Sequence, residues 1–228
     1  MMLNASLVRK HAQTRANGVT TETPSLDTAL NRGMNCGIAA VALLFFLPLM
    51  VLVALMVWVH DRGPILFAHR RIGRGGRYFP CLKFRSMAVD AQERLQALLD
   101  TDPAARAEWE RDHKLRNDPR VTKLGAFLRK TSLDELPQLI NVLRGDMDLV
   151  GPRPIVDAEV GKYGRRFKAY CAVNPGITGL WQVSGRNDTS YRARVAMDCV
   201  YARSKTPALD LWVMVCTVPA VLMRKGSY

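Results

Sequence analysis

The stretch IAAVALLFFLPLMVLVALMVWV, from Ile38 to Val59, contains no charged side chain. Its 22 residues match the roughly 20 that a straight helix needs to cross the hydrocarbon core of a bilayer. The run predicts a membrane helix over residues 33–60. It is too long and starts too late for a secretory signal, and Trp58-Val59-His60-Asp61 follows where a small-residue cleavage site would stand. Pro48 sits in its middle. A proline there removes one backbone hydrogen bond and crowds the preceding turn, which favours a kink. The flanks are basic on both sides. Arg9, Lys10, Arg15 and Arg32 stand upstream against Glu22 and Asp27; Arg62, Arg70, Arg71, Arg74, Arg77, Lys83 and Arg85 stand downstream against Asp61. Basic flanks prefer the cytoplasm. Two arrangements satisfy this pattern: a kinked single pass with the weaker basic tail outside, or a re-entrant helix that returns both ends to the cytoplasm.

Outward from this helix, residues 1–32 are polar, lack apolar periodicity and read as a mobile tail. Residues 61–228 then form the globular unit. Ile65-Leu66-Phe67 and Tyr78-Phe79-Pro80-Cys81-Leu82 flank Gly73-Arg74-Gly75-Gly76, the pattern of a β-hairpin. Residues 88–116 read as helical, with Leu95, Leu98 and Leu99 on one face and a break at Asp102-Pro103. A shorter helix is expected over Thr131 to Leu143, with Gly145 at its C-cap. Residues 151–186 read as loops around short elements, and Ala193 to Ala202 as a helix. Leu209 to Met223 is apolar but too short, and interrupted by Asp210 and Pro219; it suits the membrane interface or the core. Arg224 and Lys225 behind it suit an anionic lipid surface. The fold class is therefore α+β: a mainly helical domain with a small hairpin, anchored by one N-terminal membrane helix kinked at Pro48.

The composition of the 228 residues, 48% hydrophobic and 23% charged, excludes global disorder. A formal net charge of +13 suits a polyanionic partner such as nucleic acid, anionic lipid or a phosphorylated substrate. The cysteines, Cys36, Cys81, Cys171, Cys199 and Cys216, are odd in number and show no CxxC spacing, so reduced thiols are expected. The four histidines form no metal-binding pair.

Four groups of residues bear on chemistry. In Ser132-Leu133-Asp134-Glu135-Leu136-Pro137 two adjacent carboxylates lie about 100° apart around a helix and can divide two tasks, one as nucleophile and one as metal ligand. Pro137 suits a first turn, whose N–H groups bind phosphate oxygens. The plainer account is a helix cap, with Thr131 or Ser132 as N-cap and a carboxylate reaching back. In Lys83-Phe84-Arg85, strand alternation puts both cations on one face, where they clamp a diphosphate or merely meet solvent. Gly151-Pro152-Arg153-Pro154 displays one guanidinium on a stiff backbone. In Gly176 to Arg186, three glycines admit a close ligand and Arg186 offers a charge, while Trp181 reads as core.

The order and wording of these segments say more. CLKFRSM (81–87), LRKTSLDELPQLINVLRGDMDLVGPRP (128–154) and NPGITGLWQVSGRND (174–188) resemble the bacterial sugar transferase family, the monotopic polyprenyl-phosphate sugar-1-phosphate transferases. HRRIG (69–73), DPAARAEWE (102–110), KLRNDPRVT (114–122) and the terminal KGSY look like the short exopolysaccharide-production members that prime with galactose. The resemblance runs from about residue 32 to the C-terminus.

It implies that Asp134 is the nucleophile and Glu135 the Mg²⁺-binding partner, with Asp198 a weaker acidic position. Lys83, Arg85, Arg129, Arg153 and Arg186 match basic substrate positions. It further implies transfer of galactose or glucose 1-phosphate from a UDP-sugar to undecaprenyl phosphate, with release of UMP, at the cytoplasmic face of the bacterial inner membrane. The family's membrane helix is re-entrant and broken at a Ser-Pro pair, which is Leu47-Pro48 here. The serine usual after GDM is Asp148. Partners are then the UDP-sugar, the polyprenyl phosphate and membrane lipids, with no nucleic acid. A competing function, a non-catalytic basic membrane scaffold or regulator of polysaccharide export, requires Asp134 and Glu135 to be helix caps only.

Overall fold

The computed structural model describes residues 26–112, 115, 117–184 and 189–222. The tail expected over 1–32 lies outside them up to residue 25, as do Arg186, Arg224 and Lys225. The described residues are mostly helical, with two small two-stranded sheets among them.

Helix α1, Leu26–Asp61, begins before position 33, inside the stretch expected to be tail, and runs unbroken through Pro48. Asn35, Ala39, Met50, Val53 and Val57 are buried, with Leu43 and Phe46 partly buried between them. Their three- and four-residue spacing makes one stripe along the helix. The opposite face stays apolar and uncovered: Val41, Leu44, Phe45, Leu52, Leu55 and Val59 are all exposed, Phe45 at 76%. A soluble core helix would not expose so large a contiguous apolar face.

Polar bonds tie both ends of α1 to the same domain. At the start, Arg32 donates to the carbonyls of Val142 (2.6 Å) and Leu143 (2.9 Å), and Asn35 Oδ1 accepts from the Leu149 N–H at 2.7 Å. At the end, Asp61 Oδ2 accepts from the Val89 N–H at 3.0 Å and lies 3.6 Å from Arg85 Nη2.

The expected hairpin is present. β1, Leu66–Ile72, pairs antiparallel with β2, Tyr78–Phe84, in a register running from Leu66 opposite Phe84 to Ile72 opposite Tyr78. Gly75 (φ 67°) and Gly76 (φ 74°) carry the turn. The break at Asp102 is also as expected: its carboxylate caps α3, Pro103–Asp112, after α2, Ala91–Thr101.

The helix expected over Thr131 to Leu143 forms only from Gln138, and another helix precedes it. α4, Lys123–Thr131, stops where Ser132 turns left-handed (φ 57°). A 3₁₀ turn, Leu133–Glu135, follows, and then α5, Gln138–Arg144, closed by Gly145 at φ 91° as expected. The stretch read as loops around short elements contains α6 (Asp157–Tyr163) and α7 (Phe167–Tyr170), then β4 (Gly176–Thr178) and α8 (Leu180–Ser184). β4 pairs in parallel with β3, Asp148–Val150. Strands of three residues leave no periodicity to read. Asp148 binds the Asn174 amide and the Lys205 ammonium, fastening β3 from both sides. The last described elements are α9, Tyr191–Ser204, and α10, Pro207–Leu222. The Tyr201 hydroxyl of α9 sits between the Val150 carbonyl (2.8 Å) and the buried Asp210 carboxyl of α10 (2.7 Å). The outer face of α10, with Leu211, Trp212, Val215 and Val218, is apolar and exposed. All five cysteines are unbridged.

Candidate active site

The site forms where three pieces of chain meet: the end of β2, the turn between α4 and α5, and the loop after β3. α4 is set first. Thr122 caps it, accepting from the Gly125 N–H at 2.9 Å. Gly125 lies so close to the strand exit that a Cβ would stand 1.8 Å from the Ser86 carbonyl oxygen. That approach lets Arg129 donate to Ser86 Oγ at 2.9 Å. Ser132 then reverses the chain in a conformation that costs a non-glycine residue energy, which is the kind of strain that collects at functional sites. Leu133 and Leu136, three apart, both pack toward the α1 stripe, and Pro137 is fully buried.

Neither carboxylate caps a helix. α5 opens at Pro137 with no side-chain cap bond, and Ser132 makes none either. Lys83 instead joins the pair: its Nζ is 2.6 Å from Glu135 Oε1 and 3.8 Å from Asp134 Oδ2. Lys83 is aimed by Asn141 of α5, a fully buried amide. Asn141 accepts from the Leu82 N–H at 2.9 Å and donates to the Pro80 carbonyl at 2.8 Å, clamping β2 beside the turn.

The environment separates the two carboxylates. Burial pushes the Asp134 carboxyl up to about 6; Lys83 and Arg129 pull it down, and the Glu135 charge adds to the rise. Burial also works to raise Glu135, but Lys83, Arg153 and Arg71 outweigh it and hold its carboxyl below the ordinary value. Its side chain is 29% exposed. The result is a nearly buried, basic carboxylate beside an ionised, solvent-reachable one. Carboxylates driven apart in this way are suited to different roles.

Of the residues singled out from sequence, Asp134, Glu135 and Lys83 come together, with Arg129 and Arg153 acting on them electrostatically. Arg85 turns away. Its strand ends at Phe84, and its guanidinium runs toward Asp61 at the end of α1. Asp198 is buried in a different cluster, where its carboxylate accepts from the Tyr163 hydroxyl at 2.6 Å. Burial raises it to about 6. Arg186 lies outside the described residues. Among those residues no group of three or more His, Cys, Asp and Glu side chains forms a ready metal cage.

Sequence reasoning passed over Arg71, His69, Ser86 and Asn141. The hairpin register was the available signal for the first two, because it puts His69 and Arg71 on the face that carries Lys83. A cleft of about 490 Å³ beside α6 and α9, lined by Lys162, Tyr163, Arg165, Arg166, Tyr191 and Arg192, shares no residue with this site and contains no carboxylate.

Comparison with known proteins bears on what the arrangement does. The family model described as bacterial sugar transferase matches residues 26–224. The chain is 54% identical over 181 residues to an undecaprenyl-phosphate galactose phosphotransferase of Salmonella typhimurium, covering 79% of this chain and 38% of that protein. It is 52% identical over 182 residues to a UDP-galactose-lipid carrier transferase of Erwinia amylovora, covering 80% and 38%. It is 49% identical over 190 residues to the exopolysaccharide production protein ExoY of Rhizobium meliloti, covering 83% and 84%. The chain thus spans about two fifths of the first two relatives and most of the third.

Proposed function

Because the chain belongs to the bacterial sugar transferase family, we propose that it transfers a sugar 1-phosphate, galactose or glucose, from a UDP-sugar to undecaprenyl phosphate. This would be the first membrane step of exopolysaccharide synthesis. The observation that carries the proposal is the buried Asp134 held beside Lys83 and the ionised Glu135 without capping any helix.

Asp134 is the nucleophile. One carboxylate oxygen attacks the β-phosphorus of the UDP-sugar. A P–O bond forms, the bond to the bridging oxygen breaks, and UMP leaves with that electron pair. The sugar phosphate is then an acyl phosphate on Asp134. An oxygen of undecaprenyl phosphate attacks the same phosphorus, the bond to Asp134 breaks, and the carboxylate returns with a polyprenyl diphosphate sugar as product. No proton need move in either displacement. What is needed is relief of repulsion between an anionic nucleophile and an anionic substrate. Lys83 lies against both carboxylates, and Arg129 and Arg153 add positive charge around them.

Glu135 is a hard oxygen donor, ionised and reachable from solvent, so it fits Mg²⁺, an ion that keeps several waters and takes one or two carboxylates plus substrate phosphates. When bound there, Mg²⁺ supplies charge neutralisation to the diphosphate. Asp198, committed to Tyr163, does not join Glu135 in this role.

Membrane contact is supported by the uncovered apolar faces of α1 and α10, a shared side for both ends of α1 by the bonds each end makes, and the cytoplasmic side by the basic flanks. Arg32 and Asp61 lie roughly 44 Å apart on a straight helix at about 1.5 Å per residue, more than the about 30 Å hydrocarbon core. A straight crossing would put them on opposite sides, yet both hold the same domain. A helix that keeps both ends on one side of the membrane, re-entrant or lying along it, preserves both sets of bonds. The scaffold alternative needs the carboxylate pair to be caps, which the geometry disfavours.

The test is UMP release by detergent-purified protein given UDP-galactose or UDP-glucose, Mg²⁺ and undecaprenyl phosphate. Lipid-dependent release that vanishes in Asp134→Asn and on chelation is expected. Folded protein releasing no UMP from either sugar would leave the scaffold alternative.

A further inference from the structure

Alternation and register put Phe67, His69 and Arg71 of β1 on the same face as Phe79, Cys81 and Lys83 of β2. Lys83 reaches the Asp134–Glu135 turn from that face. Arg71 reaches the loop after β3. Its side chain is 15% exposed, and each contact is directional. Nη1 donates to the Pro154 carbonyl at 3.1 Å, and Nη2 donates to His69 Nδ1 at 3.1 Å. Glu159 Oε2 lies 3.8 Å away. A guanidinium can only donate, so His69 Nδ1 accepts and its proton sits on Nε2. Burial, Arg71 and Lys83 all favour that neutral imidazole, against Glu159.

The Pro154 carbonyl comes directly after Arg153. The loop is stiff on either side of this arginine. Pro152 and Pro154 fix their own φ. Gly151 donates to the Thr178 carbonyl at 2.8 Å, Gly176 donates to the Pro152 carbonyl at 2.8 Å, and Ile72 donates to the Ile155 carbonyl at 3.0 Å. Arg71 supplies the side-chain bond at the one carbonyl between Arg153 and this bridge. It also places a second cation near Arg153, and both act on Glu135.

We propose, on the transferase reading, that Arg71 is a positioning residue: from the inner face of the hairpin it fixes the Gly151–Pro154 loop and so sets where Arg153 meets the diphosphate of the nucleotide-sugar. A merely structural Arg71, paired with Glu159, would affect stability and leave substrate affinity alone.

The experiment is a double-mutant cycle on the full chain in detergent, with Arg71→Met, Arg153→Met and the pair. KM and kcat for UDP-galactose are read from lipid-dependent UMP release, and hydrogen exchange is followed at residues 151–156. Arg71→Met is expected to raise KM about tenfold, the scale of one lost charge-assisted contact, with a much smaller change in kcat. The double variant should be no worse than Arg153→Met to within about twofold, because coupled residues do not add. The Gly151 and Ile155 amides should exchange faster. Arg71→Lys keeps the charge but loses the fork, so it should recover only part of the affinity; it also carries the cycle if the methionine variant does not fold. Effects that multiply in the double variant, or an unchanged KM with lowered thermal stability, would overturn the proposal. If wild-type protein releases no UMP, the transferase reading fails instead, and unchanged exchange at the loop would then overturn the positioning role by itself.

Discussion

As the proposed nucleophile, Asp134 has to be buried and charged at once, and the two requirements pull against each other. Its carboxyl, lifted from 3.8 to about 6 by burial, is ionised at neutral pH and more basic than a surface aspartate. The rate of UMP release should therefore rise with pH through about 6, where half of Asp134 is ionised, and level off above 7; a flat profile from pH 5 to 8 would remove Asp134 from the nucleophile's role. The same shift sets a stability cost. A carboxyl with a raised folded value binds its proton more tightly folded than unfolded, so this group's contribution to stability is most favourable below 3.8 and falls as pH rises through about 6. The full cost above that window is on the order of 3 kcal/mol, at about 1.36 kcal/mol per unit. Asp134→Asn carries no such charge. It should abolish turnover while its thermal stability gains on the wild type between pH 4 and 7, the trade expected where a site is destabilised for activity.

At the scale of elements, α1 is long and apolar enough to cross a membrane, and its two ends bear on how it would do so. The helix has two faces, a buried stripe through Ala39, Val53 and Val57 and an apolar outer face. Its two ends hold one domain through Arg32 and Asp61. Both ends should then lie on one side of the bilayer. Leu30 and His60 are exposed. Placed one at a time in a cysteine-free chain, Leu30→Cys and His60→Cys should both be shielded from an impermeant maleimide added to intact cells. Both should react once the inner membrane is opened. Labelling at position 30 alone in intact cells would show a single pass and would mean that the Arg32 bonds to α5 do not form in the bilayer.

For the whole molecule, α1 is also part of the core. It supplies Ala39 to the cluster around Val142 and Met147, and Met50, Val53 and Val57 to the one around Phe84 and Leu128. The Asp134–Glu135 turn leans on the second of these through Leu133 and Leu136. Removing α1 would expose these side chains and leave the Leu149 N–H without Asn35, a buried loss of about 1–3 kcal/mol by itself. A chain cut to residues 62–228 should aggregate or lose cooperative unfolding even in detergent; a soluble, cooperatively folded 62–228 would show that α1 is only an anchor.

Much of this was legible in the residues alone. The uncharged run Ile38 to Val59 specified a long apolar helix because burying or dissolving apolar surface leaves few alternatives at that length. Glycines at 73, 75 and 76 between two apolar segments specified the hairpin, Asp102-Pro103 a break between helices and Gly145 a helix stop, all through local backbone physics. The Asp134–Glu135 pair could be found, and family wording pointed to Lys83, Arg129 and Arg153. Spacing could not say whether the carboxylates were caps. That depended on Ser132 turning left-handed and on Asn141 of α5 clamping β2, a contact across 59 residues. Nor could it separate Lys83 from Arg85, which alternate alike in sequence until the strand ends and Asp61 draws the arginine away. The two-ended attachment of α1, the placement of Arg71 against the Pro154 carbonyl and the burial that lifts Asp134 all arise from long-range packing. The tertiary structure decided them because desolvation and charge pairing depend on which distant groups arrive at the same place.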